Sequence, residues 1–99
     1  MTSRPRVALV TGGTSGIGRA TVELLRHRGW TVVTCARNES RLQRLAAELP
    51  GVHVKRADLT DEMDREALLA AVLAEHHRLD ALVNNAAQGW GGLLRDMPP

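Results

Sequence analysis

The feature that most constrains how this chain can fold is a glycine-rich segment between an apolar run and a helix-like run. Residues 7–20 read VALVTGGTSGIGRA, and Gly12, Gly13, Gly16 and Gly18 fall within seven residues. Glycine inside regular structure costs about 0.5 to 1 kcal/mol relative to alanine, so the cluster predicts backbone that turns sharply or approaches a ligand closely. A turn from a strand into a helix directs unpaired N–H groups and the positive end of the helix dipole to one point, which favours an anion such as phosphate.

Strand-like and helix-like patterns alternate along the rest of the sequence. Continuously apolar or β-branched runs predict strands, and apolar residues at helical spacing predict the helices between them. The predicted strands cover 6–11, 31–36, 52–57 and 79–84, and the predicted helices cover 17–28, a segment around 42–49 that ends at Pro50, and a segment from an N-cap at Thr60 to about 77. This alternation predicts parallel strands joined by right-handed crossovers, and hence one open α/β sheet.

The first predicted helix carries an apolar stripe that we expect to face the sheet. Gly29 follows the helix and is expected to stop it. The stripe consists of Ile17, Ala20, Thr21, Leu24 and Leu25. Residues 1–87 are predicted to form the ordered domain, because the pattern of strands and helices is lost over 88–99, where glycines and prolines indicate an irregular tail.

Composition and charge exclude several classes of function. The chain has 99 residues, enough for one domain, and its net charge of +2 comes from scattered arginines with a single lysine. Two tryptophans without Phe or Tyr leave little surface for stacking bases, so we expect no nucleic-acid binding. No stretch approaches the roughly 20 apolar residues of a membrane span and no signal-peptide pattern is found, so we expect a cytoplasmic chain with no membrane contact. Cys35 has no second cysteine to pair with and is expected to be buried in a strand.

Two phosphate-binding motifs compete for the glycine-rich turn. A nucleoside-triphosphate loop requires Lys and then Ser or Thr after its last glycine, whereas Arg19 and Ala20 follow Gly18 here. Without that hydroxyl there is no side chain for magnesium, so triphosphate hydrolysis is disfavoured. The common dinucleotide fingerprint G-x-G-x-x-G is not matched either, because the glycines fall at 12, 16 and 18.

The spacing T-G-x-x-x-G-x-G over Thr11–Gly18 resembles the short-chain dehydrogenase/reductase family. Two further motifs agree with the resemblance, namely Asp58-Leu59 after the third strand and NNAA over 84–87 after the fourth. The family has glycine where Ala87 stands. The resemblance implies a Rossmann-like, doubly wound parallel sheet with strand order 3-2-1-4, incomplete relative to the family.

The resemblance also implies a site for a nicotinamide dinucleotide at the carboxyl ends of the strands. Asn84 is expected to join neighbouring strands rather than to contact the cofactor, and for Asp58 the alternative role of capping a turn stays open. The residues expected near the pyrophosphate and its ribose are Gly12, Gly13, Thr14, Ser15, Gly16, Ile17 and Gly18. Asp58 and Leu59 are expected beside the adenine, and Asn85 and Ala86 beside the second ribose and the nicotinamide.

The end of the second strand indicates which cofactor is preferred. An acidic residue at this place in dinucleotide folds binds the ribose 2′-OH, whereas an arginine accommodates a 2′-phosphate. The sequence has Ala36 at the acidic position, then Arg37, with Asn38 as a second candidate contact. We therefore expect NADP(H) to be preferred over NAD(H), because a guanidinium can hold a phosphate with two parallel hydrogen bonds. A solvated charge at the start of the second helix is the alternative role for Arg37.

The catalytic groups that the resemblance requires are missing from this chain. The family uses a Tyr-x-x-x-Lys pair and a serine for hydride transfer between an alcohol and a carbonyl, but the sequence has no tyrosine and its one lysine is Lys55 in the third strand. We therefore expect the cofactor-binding part of an oxidoreductase that is inactive alone, or a non-catalytic dinucleotide-binding module. An oligomer, or a partner chain paired with the exposed fourth strand, fits either alternative.

The histidines do not predict a metal site. His76 and His77 are adjacent on a helix and diverge by about 100°, which is unsuitable for a shared metal ion. His27 and His53 are expected at the surface or at element ends. We predict neither a metal nor a catalytic residue within these 99 residues.

Overall fold

A computed structural model of the chain describes residues 4–14 and 16–85. The elements follow one another as four strands separated by three helices. They are β1 (Val7–Thr11), α1 (Gly16–His27), β2 (Thr31–Ala36), α2 (Glu39–Glu48), β3 (His53–Arg56), α3 (Glu62–His76) and β4 (Ala81–Asn84). The predicted tail over 88–99 lies outside the described residues.

The four strands form one parallel sheet in the order β3-β2-β1-β4, which confirms the predicted fold class and strand order. In the register of the sheet, Leu9 of β1 lies opposite Val33 of β2 and Leu82 of β4. Since all strands run in the same direction, the segments that follow Thr11, Ala36, Arg56 and Asn84 meet at one end of the sheet. We call this end the carboxyl end, and the end where the helices return to the strands the amino end.

The core lies on both faces of the central strand. All of β1 is buried, and its residues alternate between a cluster shared with α3 and a cluster shared with α1 and α2. The α3 cluster contains Val7, Leu9, Val33, Cys35, Ala57, Leu59, Leu68 and Val72, and the other contains Val10, Val22, Val32, Leu45, Leu49 and Val52. Burial on both faces explains why β1 and β2 have continuous apolar runs rather than alternating ones.

The buried face of α1 differs from the predicted stripe. Ile17 and Leu24 are 79% and 49% exposed, whereas Gly18 and Val22 are buried. The helix is rotated toward the sheet at Gly18, which lies against the backbone of the preceding turn. The close approach at this glycine sets the rotation of the helix, and the apolar residues at 17 and 24 are left on the outside.

The start of α3 also differs from the prediction. Asp61, not Thr60, is the N-cap, because its carboxylate accepts hydrogen bonds from the N–H groups of Met63 (2.8 Å) and Asp64 (3.4 Å). The other end of the helix is closed by His77 in the left-handed conformation, with φ of 64°. Among the described residues, no helix has the length and apolar character needed to cross a membrane.

Candidate functional site

The turn between β1 and α1 is shaped by glycines with positive φ angles. Gly12 has φ of 65° and Gly16 has φ of 55°, a backbone region that residues other than glycine rarely adopt. The chain thereby reverses from the end of β1 into the first turn of α1 at the carboxyl end of the sheet. The predicted sharp turn is thus present at the predicted place.

Two other glycines are required by close packing. A Cβ atom on Gly18 would overlap the carbonyl group of Gly12, and one on Gly13 would overlap the side chain of Thr34. In each case the obstructing group is held in place, by the backbone at Gly12 and by buried packing at Thr34. The turn therefore lies directly on the sheet, with no space between helix and strand.

Two N–H groups of the turn are already used inside the protein. The Gly12 N–H donates to the Cys35 carbonyl (3.0 Å), and the Gly13 N–H donates to the Thr34 hydroxyl (3.1 Å). That hydroxyl donates in turn to the Val10 carbonyl at 2.6 Å. Gly12 and Gly13 thus contribute shape to the site, and the first turn of α1 offers N–H groups that have no partner within the helix.

The first turn of α1 differs in charge from those of the other helices. It has no acidic residue, whereas α2 begins with Glu39 and α3 has Glu62 and Asp64 in its first turn. Acidic side chains near a helix N-terminus stabilise the helix dipole. Because α1 lacks such a group, its positive end remains available to an external anion.

The start of the segment after β4 is fixed by the last residue of β1. Thr11 donates its hydroxyl hydrogen to Asn84 Oδ1 at 3.1 Å, and the same oxygen accepts from the Asn85 N–H at 2.9 Å. Asn84 therefore joins β4 to β1, as predicted. Asn85 Nδ2 is buried and has no hydrogen-bond partner among the described residues.

A pocket of about 180 Å³ opens at the carboxyl end between β2 and β3. It brings together four predicted site residues from three separate segments of the sequence, with mostly apolar walls supplied by their neighbours. The lining consists of Gly12, Cys35, Ala36, Arg37, Ala57, Asp58, Leu59 and Thr60. A small, mostly apolar pocket whose lining includes Arg37 and Asp58 suits a flat heterocycle joined to a charged group.

Asp58 has the turn-capping role that the sequence left open. Its Oδ1 accepts from the Thr60 N–H (3.0 Å) and the Thr60 hydroxyl (2.7 Å). These bonds, and then the positive charges of Arg37 and Arg56, lower the pKa of the Asp58 carboxyl below its usual range. Both Thr60 bonds involve Oδ1, so the second oxygen of this carboxylate accepts no hydrogen bond from the described residues.

The residues after β2 have two different tasks. Asn38 is the N-cap of α2, since its Oδ1 accepts from the Arg41 N–H at 3.0 Å. Arg37 is exposed, lines the pocket and lies near enough to Asp58 to affect its pKa. Asn38 is not part of the pocket lining, so the structure does not bring it together with Arg37 there.

Several residues of the site were missed by the sequence analysis. Thr34 fixes the turn, and its position as a polar residue inside a buried apolar strand was the signal that could have revealed it.

Burial raises the pKa of the Cys35 thiol to about 12, so Cys35 lines the pocket as a small neutral group, which confirms the predicted buried position. Ser15 and Ala86, two of the predicted contacts, lie outside the described residues.

Four other titratable residues lie together at β3 and α3. Lys55 forms an ion pair with Glu75 on α3, and His76 makes an edge-to-face contact with His53, with 4.7 Å between ring centroids. Within the described part of the chain, no group of three or more His, Cys, Asp or Glu side chains could hold a metal ion. These residues therefore belong to the sheet edge at β3 rather than to the pocket.

Comparison with known proteins identifies the family. The model of the short chain dehydrogenase family matches residues 6–99. An uncharacterized oxidoreductase, DltE, of Bacillus subtilis is 42% identical over 78 residues, which are 79% of this chain and 31% of that protein. Serine 3-dehydrogenase of Agrobacterium fabrum is 43% identical over 84 residues, 84% of this chain and 34% of that protein.

Solved structures show the same relationship. A variant of actinorhodin polyketide ketoreductase determined with NADPH superposes with a TM-score of 0.81 and 39% identity, covering 85% of this chain and 34% of that one. The chain belongs to the short chain dehydrogenase family. It spans about a third of the length of the curated relatives that it matches.

Proposed function

We propose that this chain binds a nicotinamide dinucleotide at the carboxyl end of its sheet and prefers NADP(H) to NAD(H). The observation that carries the proposal is the position of Arg37, which lines the pocket directly after β2. The position at the end of β2 that can hold an acidic residue is occupied here by Ala36. The guanidinium would bind the 2′-phosphate of the cofactor, and a carboxylate in its place would repel that phosphate.

The residues of the turn fit the rest of such a cofactor. The N–H groups that begin α1 would bind the pyrophosphate, because no acidic side chain of the first turn competes for them. The pocket beside Asp58 and Leu59 would receive the adenine, and the buried Asn85 Nδ2 is a donor that still requires an acceptor. The related ketoreductase determined with NADPH, at 39% identity, supports the choice of ligand.

The cofactor, when bound, supplies or accepts a hydride. In the whole protein we infer an oxidation of an alcohol or a reduction of a carbonyl, in line with the family. The described residues would hold and orient the dinucleotide. The sequence contains no tyrosine, and Lys55 forms its ion pair with Glu75, so this chain provides no Tyr-x-x-x-Lys pair for proton transfer. We expect no oxidation of NADPH by the 99-residue chain with a panel of ketones, and measurable turnover would contradict this part of the proposal.

Fluorescence titration of the folded chain with NADPH and NADH tests the cofactor preference. Arg37→Asp should weaken NADPH binding by tenfold or more, because a charge-assisted hydrogen bond contributes about 1.5 to 3 kcal/mol. Binding of NADH should change far less, so the preference should fall or reverse. The matched control is Arg26→Asp, which makes the same change of charge in the last turn of α1, at the other end of the sheet from the pocket.

The titration also separates the two levels of the proposal. If Arg37→Asp and Arg26→Asp weaken NADPH binding equally, the preference reflects general charge and Arg37 has no specific role. If the parent chain binds neither coenzyme, the dinucleotide site itself is wrong. A chain that binds NADPH but completes no turnover with any partner protein would instead support the non-catalytic binding module.

A further inference from the structure

We propose that the amino end of the sheet holds a second anion site, which takes a small phosphorylated ligand with two or more negative charges. An open cleft of about 590 Å³ lies there, at the opposite end of the strands from the glycine-rich turn. Its walls come from the three segments that lead into β1, β2 and β4. They consist of Arg4, Pro5, Arg6, Arg28, Gly29, Trp30 and Arg78.

The charges around the cleft do not cancel. Asp80 is the acidic partner found there, and it is held by two bonds from Arg78, Nε to Oδ2 (2.7 Å) and Nη2 to Oδ1 (2.6 Å). Arg4 and Arg28 take part in none of the ion pairs among the described residues. The C-terminal ends of α1 and α3 point to this end and carry about half a negative charge each. The four arginines of the cleft carry four positive charges, and Asp80 with the two helix ends offsets about two of them. The positive charge that is left matches a doubly charged phosphate ester or a pyrophosphate.

The walls of the cleft are held by the backbone. Gly29 has φ of 87° and closes α1, with the Trp30 N–H donating to the Leu25 carbonyl at 3.0 Å. The Arg6 carbonyl accepts from the Thr31 N–H at 2.8 Å, which fixes the first segment beside the second. The guanidinium of Arg6 lies over the ring of Trp30, 5.8 Å from its centroid, and such a contact orients the planar group.

The size and chemistry of the cleft favour a small ligand over a nucleic acid or an acidic protein surface. Its volume is in the range of small-molecule sites, and guanidinium groups from three segments converge on one concavity. Guanidinium groups recognise phosphoryl oxygens with paired hydrogen bonds. This site is independent of the proposed dinucleotide site, since the two share no residue.

The emission of Trp30 provides a local readout. The sequence has two tryptophans, so Trp90→Phe makes Trp30 the single reporter. Titration of this variant of the full chain with inorganic pyrophosphate should give a saturable, one-site change in emission. Arg28→Ala should weaken the apparent affinity about tenfold or more, and Arg4→Ala should weaken it in the same direction. Lys55→Ala removes one positive charge from β3, lines neither the cleft nor the pocket, and should leave the affinity within about twofold.

Each other outcome overturns the proposal. A response that does not saturate, or one that Lys55→Ala weakens as much as Arg28→Ala does, would show general attraction by a basic chain. A response that is lost in Arg37→Asp but kept in Arg28→Ala would place pyrophosphate at the turn before α1. Binding of an oligonucleotide or an acidic peptide, with the same dependence on Arg28 and no response to pyrophosphate, would assign the cleft to a macromolecule. Circular dichroism of each variant verifies that it is folded, and Arg4→Ala keeps the test valid if Arg28→Ala is not.

Discussion

The two ends of the sheet are built by different means. At the carboxyl end the turn before α1 is fixed by glycines pressed against backbone and by the buried hydroxyl of Thr34. At the amino end Gly29 and Gly51 have open space around them, and side-chain contacts such as the pair of Arg78 with Asp80 are exposed. Close packing defines positions to a fraction of an ångström, whereas exposed ion pairs contribute little to stability and adapt to change. Positions are therefore strictly defined at the carboxyl end, and the amino end tolerates change.

Two titratable groups, the Cys35 thiol and the Asp80 carboxyl, differ in a related way. At the carboxyl end burial raises the pKa of the Cys35 thiol to about 12. At the amino end the hydrogen bonds from Arg78, and next the bond from the Val7 N–H, lower the pKa of the Asp80 carboxyl. One end thus keeps a group neutral by excluding water, and the other keeps a group charged by pairing it.

The largest effect is expected from Gly18→Ala. The added Cβ would overlap the Gly12 carbonyl group, and α1 would have to move away from the sheet. Overpacking costs about 1 to 3 kcal/mol and sometimes more, against about 1 kcal/mol gained in helix propensity. We expect the free energy of unfolding, measured with urea and circular dichroism, to fall by about 2 kcal/mol or more and NADPH binding to be lost.

Gly51→Ala is the matched substitution at the amino end. Gly51 has φ of 96°, but an added Cβ would meet nothing within 4 Å. The cost is then the strain of a positive φ, about 1 kcal/mol, with no effect on ligand binding. If Gly18→Ala proved no more costly than Gly51→Ala, the strict packing of the carboxyl end would be disproved.

The fold could be predicted from the sequence because the strand and helix patterns alternate several times along it. The apolar runs of β1 and β2, separated by a helix pattern, imply parallel pairing, and the spacing from Thr11 to Gly18 implied the family and with it the strand order. The rotation of α1 could not be predicted from the apolar stripe. The stripe predicts that Ile17 and Leu24 are buried, whereas both are exposed. The contact that sets this rotation joins Gly18 to Gly12 through space, and a glycine adds nothing to an apolar pattern.

The sequence pattern also did not determine which residue caps the N-terminus of α3. Thr60 and Asp61 are both good N-caps by residue type. The choice between them depends on Asp58, whose carboxylate already binds Thr60 and leaves Asp61 to cap α3. The position of Arg37 beside the pocket follows from residue order at the end of β2, and its role in binding stays a prediction. The candidate site was missed where it depends on contacts between distant segments, as between Thr34 and Gly13.

The second prediction concerns the buried hydroxyl at the carboxyl end. Thr34→Val keeps the shape but leaves the buried Gly13 N–H without an acceptor and the Val10 carbonyl without this donor. An unsatisfied buried polar group costs about 1 to 3 kcal/mol, and we expect a loss of about 2 kcal/mol in urea unfolding.

Thr31→Val makes the same chemical change at the amino end of the same strand. The Thr31 side chain is half-buried and makes no hydrogen bond among the described residues, so the change should stay within about 0.5 kcal/mol. Equal losses for the two variants would remove the distinction between the ends of β2.

The third prediction is a dependence of stability on pH at the amino end. Burial, and next the neighbouring His53, lower the pKa of His76 below its usual value of 6.5. Between the two pKa values the unfolded chain binds more protons than the folded one, so stability falls as pH falls below about 6.5. His76→Gln should flatten this slope in urea unfolding measured from pH 7.5 to 5.5. Stability that rises as the pH falls through this range would show that the folded state favours the protonated form.

The smallest effect is expected from Asp80→Asn. The change removes the charge that pairs with Arg78 but keeps an oxygen that can accept the Val7 N–H, now bonded at 2.8 Å. Since the pair is exposed to solvent, the loss in urea unfolding should be the smallest of the series and should shrink further as added salt screens the charges. Asp80→Ala also removes the acceptor, and the part of its loss that persists at high salt then measures the bond to Val7. A loss from Asp80→Asn as large as that from Thr34→Val, and independent of salt, would mean that the amino end is as strictly packed as the carboxyl end.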